Sequence, residues 1–201
     1  MSECRRAVVM ERDGVLNEAR DYVNRPERFE WRPGAIDALR VLAQAGWRLV
    51  IVTNQPGIAR GWLGPAEYDN LTSWMRAELA SSGIRLDGVY HCPHLPDAPL
   101  AVWRRQCACR KPAPGLLRHA ARDLHLDLPR CVMVGPTAAD IAAGRAAKVA
   151  ACIRITDPGA ATDALAGSTP GAPEALEADF TCASLGEAAQ WLTEFERRRH
   201  A

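Results

Sequence analysis

Two acids close an apolar run near the start of the chain, where Val8-Val9-Met10 leads into Glu11-Arg12-Asp13-Gly14-Val15-Leu16-Asn17. At a strand-to-loop transition, residues i and i+2 point to one side. Glu11 and Asp13 therefore offer two carboxylates to the same space. One of such a pair can attack or ligate while the other moves protons. Two more polar segments follow apolar runs directly: Thr53-Asn54-Gln55 and residues 135–140. A second constellation is Cys92-Pro93-His94 with Cys107-Ala108-Cys109. Three thiolates and one imidazole make a closed tetrahedral set, the structural type of zinc site, with no position open to water or substrate. His91 is a competing imidazole beside Cys92. Arg110 and Lys111 come directly after the last thiol, so a metal there would fix where two cations start.

The elements that must position these groups show in the patterning. Strand-like apolar runs occupy residues 7–10, 49–53, 89–91, 131–135, 151–155 and 180–182. Helical stripes lie between them: Ile36, Leu39, Leu42 and Ala43, from after Pro33 to Gly46; Tyr68, Leu71, Met75 and Leu79, from near Pro65; Leu116, Leu117, Ala120, Ala121 and Leu124, after Pro114. Leu185, Ala188, Ala189 and Leu192 mark a last helix. Strands alternating with helices predict an α/β three-layer sandwich, a Rossmann-like, mostly parallel sheet with helices on both faces. A zinc-stapled loop at 92–109 is added to it. Ligands of such sheets sit at the carboxyl ends of the strands, and the three polar segments can converge there. Residues 157–173 are rich in Ala, Gly, Pro and Thr and read as a surface loop. Arg197-Arg198-Arg199-His200 reads as a solvated, frayed end.

Composition narrows the function classes. With 201 residues, 48% hydrophobic and 24% charged, the chain has the make-up of one soluble domain spanning 1–201. A net charge of +1 gives no bulk attraction to nucleic acid or an anionic membrane. No apolar run reaches the ~18 residues of a membrane span, and no signal-peptide core follows the polar start. A cytoplasmic monomer is the expectation. Seven unevenly spaced cysteines make a poor disulfide framework.

The motifs E-R-D-G-V-L-N at 11–17, D-Y-V at 21–23, V-T-N-Q-P-G-I-A-R-G at 52–61 and C-P-H…C-A-C-R-K-P over 92–112 carry a resemblance. The chain resembles the haloacid dehalogenase (HAD) superfamily. Within it, the chain is similar to the D-glycero-D-manno-heptose-1,7-bisphosphate phosphatases, which share a branch with histidinol-phosphate phosphatases. The resemblance implies residue roles. Glu11 stands where the family has its nucleophilic Asp, and Asp13 is the general acid/base. Thr53 and Asn54 hold the phosphoryl group, and Lys111 neutralises it. Arg110 contacts the rest of a sugar phosphate, and Asn17, Gln55 and Arg60 complete the phosphate and substrate set. Pro136 stands at the position of a magnesium-binding Asp.

Three departures from that pattern fall on one small site: Glu11 for Asp, Val15 for Thr and Pro136 for Asp. The extra methylene of Glu11 displaces its carboxylate by roughly 1.5 Å, and about 1 Å of misplacement can cost about a hundredfold in rate. Pro136 brings neither a side-chain oxygen nor an N–H. Magnesium wants near-octahedral oxygen ligands, and only Glu11 and Asp13 remain as residual ligands for it. Asp140, one helical turn on, is expected to orient Lys111. The expectation is a sugar-phosphate binder with structural zinc, poorly held magnesium and strongly impaired or absent turnover. The alternative is an active magnesium-dependent phosphatase acting on heptose bisphosphate or histidinol phosphate.

Overall fold

A computed structural model describes residues 5–19, 22–156 and 177–200. The loop expected at 157–173, Asp21 of the D-Y-V motif and Cys4 lie outside the described residues. Six strands, β1 (Ala7–Met10), β2 (Arg48–Asn54), β3 (Gly88–Cys92), β4 (Val132–Gly135), β5 (Ala151–Ile155) and β6 (Phe180–Cys182), form one sheet in the order β3-β2-β1-β4-β5-β6. Every pairing is parallel. All six agree with the apolar runs to within a residue at each end.

The central strands are buried on both faces, as βαβ connections require, and alternation along them splits the core in two. Val8, Met10, Leu49, Ile51, Val132, Val134 and Ile153 face one cluster with Leu39, Leu42, Leu71, Met75, Leu79, Leu185 and Leu192. Those helical residues belong to α1 (Ala35–Gln44), α3 (Pro65–Ser81) and α6 (Leu185–His200). Ala7, Val9, Val50, Val52, Met133 and Cys152 face the other cluster, with Leu116, Leu117, Ala120, Ile141 and Ala147. Those come from α4 (Gly115–Leu124) and α5 (Ala138–Ala147). Each fully buried Leu, Val or Ile contributes about 1.5–3 kcal/mol, so both layers hold the sheet.

The local signals act as the residue types dictate. Pro65 opens α3, where its missing N–H costs no helical bond. After α1, Gly46 takes φ +81°, a left-handed conformation that residues with a Cβ rarely adopt. Two helices lacked a strong apolar stripe: α5, and the short α2 (Pro56–Arg60). The sign for α5 was its capping box, in which Thr137 Oγ1 accepts from Asp140 N–H at 3.3 Å while Asp140 accepts from Thr137 N–H at 3.0 Å. At the chain end α6 continues through His200 instead of fraying, with Arg197 and Arg198 exposed. Among the described residues, no helix is long and apolar enough to cross a membrane.

The chain leaves β1 for β2 on one side and later crosses to β4 on the other. The carboxyl end of β1 is therefore the switch point at which a doubly wound sheet opens a crevice.

Candidate functional site

The β1–α1 loop begins at that switch point. Glu11 N–H still bonds Val134 O at 3.0 Å, and the loop then folds back, with Gly14 N–H on Asn17 O at 2.8 Å. Asn17 is wholly buried, and its amide donates to Glu18 O at 3.0 Å. Its side chain also hydrogen-bonds the Asp13 carboxyl, so it belongs to the same cluster as the two acids. Val15, where the family has Thr, is wholly buried in the larger core cluster.

Lys111 reaches the same point from the other side. Asn54 clamps its backbone in both directions, with Nδ2 donating to Lys111 O and Oδ1 accepting from Lys111 N–H, each at 3.1 Å. The Lys111 side chain is 1% exposed. Its ammonium contacts Glu11 Oε2, Asp140 Oδ1 and, at 3.0 Å, the Val52 carbonyl. An ammonium has three protons, and all three are taken. Asp140, the expected partner of Lys111, is held by the Thr137 N–H at 3.0 Å and the Thr137 hydroxyl at 2.6 Å. The second oxygen of Glu11 accepts from the Thr53 hydroxyl and, at 3.0 Å, from the Arg12 N–H.

Asp13 is equally committed. Arg12 donates to it twice, Nε at 2.9 Å and Nη2 at 3.0 Å, and Gln55 Nε2 donates at 2.9 Å. Gln55 is fully buried, donates also to Thr53 Oγ1 at 2.9 Å and accepts from the Tyr22 hydroxyl at 2.9 Å. It therefore positions Asp13 and Thr53. Tyr22 can approach so closely because residue 57 is Gly: a Cβ there would meet the Tyr22 ring at 1.9 Å. Arg12 was not among the site residues read from the sequence. The only hint was a cation between two acids.

Charges in this cluster pull unequally. Burial raises the Glu11 carboxyl above its ordinary range; Lys111 opposes this, and Asp140 and Asp13 add to it. Lys111 itself is held above its usual value, since two carboxylates outweigh its burial. Glu11 shares that ammonium with Asp140 and also faces Asp13, so raised values for both partners are consistent. For Asp13, burial acts upward but the Arg12 guanidinium prevails, with help from Gln55, and its carboxyl lies below the ordinary range. Lys111→Met would leave Glu11 and Asp140 facing each other without a counter-charge. Losing one partner of a buried ion pair costs about 3–5 kcal/mol. A fall of that size in urea-unfolding stability is expected, and a change near zero would contradict the buried pairing.

Glu11, Asp13 and Asp140 are each engaged by cations or hydroxyls, and residue 136 has no side-chain oxygen. The Pro136 carbonyl accepts from Arg154 Nε at 3.3 Å, which sets a guanidinium beside that corner.

The Cys/His cluster does suit a metal. The ligand atoms of Cys92, His94, Cys107 and Cys109 all lie within 4.8 Å of one another. Cys109 Sγ is 3.1 Å from Cys92 Sγ, 3.2 Å from Cys107 Sγ and 3.3 Å from His94 Nδ1. A tetrahedron with ~2.3 Å bonds has edges of about 3.8 Å, so a slight expansion would seat an ion. Burial and the Arg105 cation keep His94 below its ordinary value, in the neutral form that ligates. His91 lies outside the group and packs on Tyr68 at 4.1 Å between centroids.

At the mouth, Arg60 lies over the Trp62 ring, 4.8 Å from its centroid, and Tyr22 meets Trp62 edge-on at 5.4 Å. Arg110 is 6% exposed, and its Nη1 donates to His94 O at 3.4 Å, tying it to the metal loop. The crevice thus brings together Glu11, Asp13, Thr53, Asn54, Gln55 and Lys111. Asn17 joins them through its hydrogen bond to Asp13, Arg60 is partly exposed, and Arg110 is buried against the His94 carbonyl.

Comparison with known proteins agrees with this architecture. A family model described as HAD-hyrolase-like matches residues 108–188. The D-glycero-beta-D-manno-heptose-1,7-bisphosphate 7-phosphatase of Salmonella typhi is 44% identical over 71% of this chain and 76% of its own length. The Yersinia pestis protein of the same name is 38% identical over 87% of this chain and 96% of its own. Among solved structures, the D,D-heptose 1,7-bisphosphate phosphatase of B. bronchiseptica, complexed with magnesium and phosphate, aligns with a TM-score of 0.76 at 32% identity. It covers 94% of this chain and 98% of that one. The parallel sheet, the strand-end crevice and these relatives together show that the chain belongs to the HAD phosphatases, in the heptose-1,7-bisphosphate phosphatase family.

Proposed function

We propose that this chain is a heptose-bisphosphate phosphatase relative whose turnover is strongly impaired or absent, and that its crevice serves to bind a phosphorylated sugar. The observation that carries the reading is the saturation of Lys111 by Glu11, Asp140 and the Val52 carbonyl. Phosphoryl transfer depends chiefly on positioning and on neutralising migrating charge. Here the one ammonium at the centre is spent on the protein's own carboxylates. Asp13, kept ionised by Arg12, makes a poor proton donor to a leaving group. With Pro136 at the corner, no chemistry is assigned to magnesium in this chain.

The Cys92, His94, Cys107 and Cys109 set is read as a structural zinc site, since three thiolates and an imidazole favour that ion. Zinc would hold the segment that delivers Arg110 and Lys111 and would take no part in the reaction. The whole chain is read as one domain.

Identity of 44% to phosphatases favours a second reading, an active magnesium-dependent sugar-phosphate phosphatase. Phosphate release from heptose bisphosphate and from histidinol phosphate decides between them, with magnesium added and the metal content of the wild-type protein measured in parallel. The first reading expects about one zinc per chain and release at the level of the enzyme-free control. Rapid release, lost in Asp13→Asn, would establish the second.

A further inference from the structure

The crevice already holds an anion, and that anion is the chain's own. Three donors from three separate segments converge on the Glu11 carboxylate: the Arg12 N–H of the β1–α1 loop, the Thr53 hydroxyl at the end of β2, and the Lys111 ammonium. Gln55 donates to Thr53 Oγ1, which turns the hydroxyl proton towards Glu11. The Glu11 side chain is 9% exposed, so little of it faces water. A backbone N–H, a hydroxyl and an ammonium aimed at one point at the carboxyl end of a parallel sheet are what a small oxyanion requires.

We propose that Glu11 is a resident plug of this anion cradle, and that its carboxylate takes the seat a phosphoryl group would need. The wild-type crevice then admits neither orthophosphate nor the phosphoryl end of a sugar phosphate to the cradle. A sugar phosphate that binds the wild-type protein does so outside the cradle, on the side of the partly exposed Arg60. A shorter residue at 11 opens the seat, because Thr53, the Arg12 N–H and Lys111 keep their places. Lys111 stays anchored by Asp140 and the Val52 carbonyl, and Asn54 clamps its backbone. The inference deepens the non-catalytic reading above and rests on it.

Inorganic phosphate is the probe, with affinity measured by isothermal titration calorimetry on the full-length protein. Glu11→Ala is expected to bind it roughly tenfold or more tightly than wild type. Glu11→Gln, which has the same length without the charge, is expected to bind like wild type. Adding Thr53→Val to Glu11→Ala is expected to remove the gain. If Glu11→Ala does not fold, Glu11→Ser is measured in its place. Equal affinity of wild type and the shortened variant overturns the plug. So does tight binding by Glu11→Gln, which would mean that charge alone excludes phosphate, and so does a gain that survives Thr53→Val. Turnover is assayed separately. Hydrolysis by wild type would sink the functional reading, whereas equal phosphate affinity without hydrolysis would sink only the plug.

Discussion

Glu11→Asp combined with Pro136→Asp is expected to raise magnesium-dependent phosphate release from heptose bisphosphate by about a hundredfold or more over wild type. The two changes act on different faults. Shortening residue 11 draws its carboxylate back by roughly 1.5 Å, away from the Thr53 hydroxyl and the Lys111 ammonium that now hold it. Those donors then face the incoming phosphoryl group. Replacing Pro136 restores an oxygen ligand at the corner where only a backbone carbonyl, already bonded to Arg154, stands. Neither change alone supplies both charge compensation and geometry, so each single variant is expected to stay within about tenfold of wild type. Full recovery by Glu11→Asp alone would show that Pro136 matters little. No recovery by the folded double variant would mean that the Arg12–Asp13 pairing or another part of the crevice also blocks the reaction. Asp13→Asn in the double variant should abolish whatever activity appears.

Loss of the metal cluster is expected to have the largest effect on stability. Structural zinc in small peptides contributes about 10–16 kcal/mol of apparent folding free energy, against about 5–15 kcal/mol of total stability for a typical domain. Even part of that is severe here, because residues 95–106 have little apolar packing of their own. Leu95, Ala98 and Trp103 make only a small cluster with Ala59. Cys107→Ser is expected to bring metal content close to zero and to lower the melting midpoint by roughly 10 °C or more. Binding at the crevice should weaken with it, since Arg110 and Lys111 follow the last thiol directly. Chelation of the wild-type protein should reproduce the shift. A metal-free protein with an unchanged melting midpoint would rule out a structural ion.

Much of the fold was legible because its signals are local. Six apolar runs and four helical stripes need only neighbouring residues to be read, and the structure keeps all ten with small changes at their ends. The cluster that could hold a metal was legible for the same reason: two close pairs, C-x-H and C-x-C, lie in short spacing, and the structure brings their ligand atoms together. α5 was missed because its Ala-rich stretch is buried nearly all round and shows no stripe, so its start lay only in the Thr137–Asp140 box.

The residue types alone determined that the β1 loop is acidic, that position 136 offers no side-chain oxygen, and that a lysine follows the metal loop. Where those charges end their reach was decided only in three dimensions. Glu11 and Lys111 are separated by 100 positions, and no pattern in the chain states that the longer carboxylate folds onto the lysine. Arg12 likewise turns sideways onto Asp13. The physical reason is desolvation. A buried charge must find a partner wherever packing brings one within reach, and that choice depends on the crossing of strands, which sequence spacing does not encode.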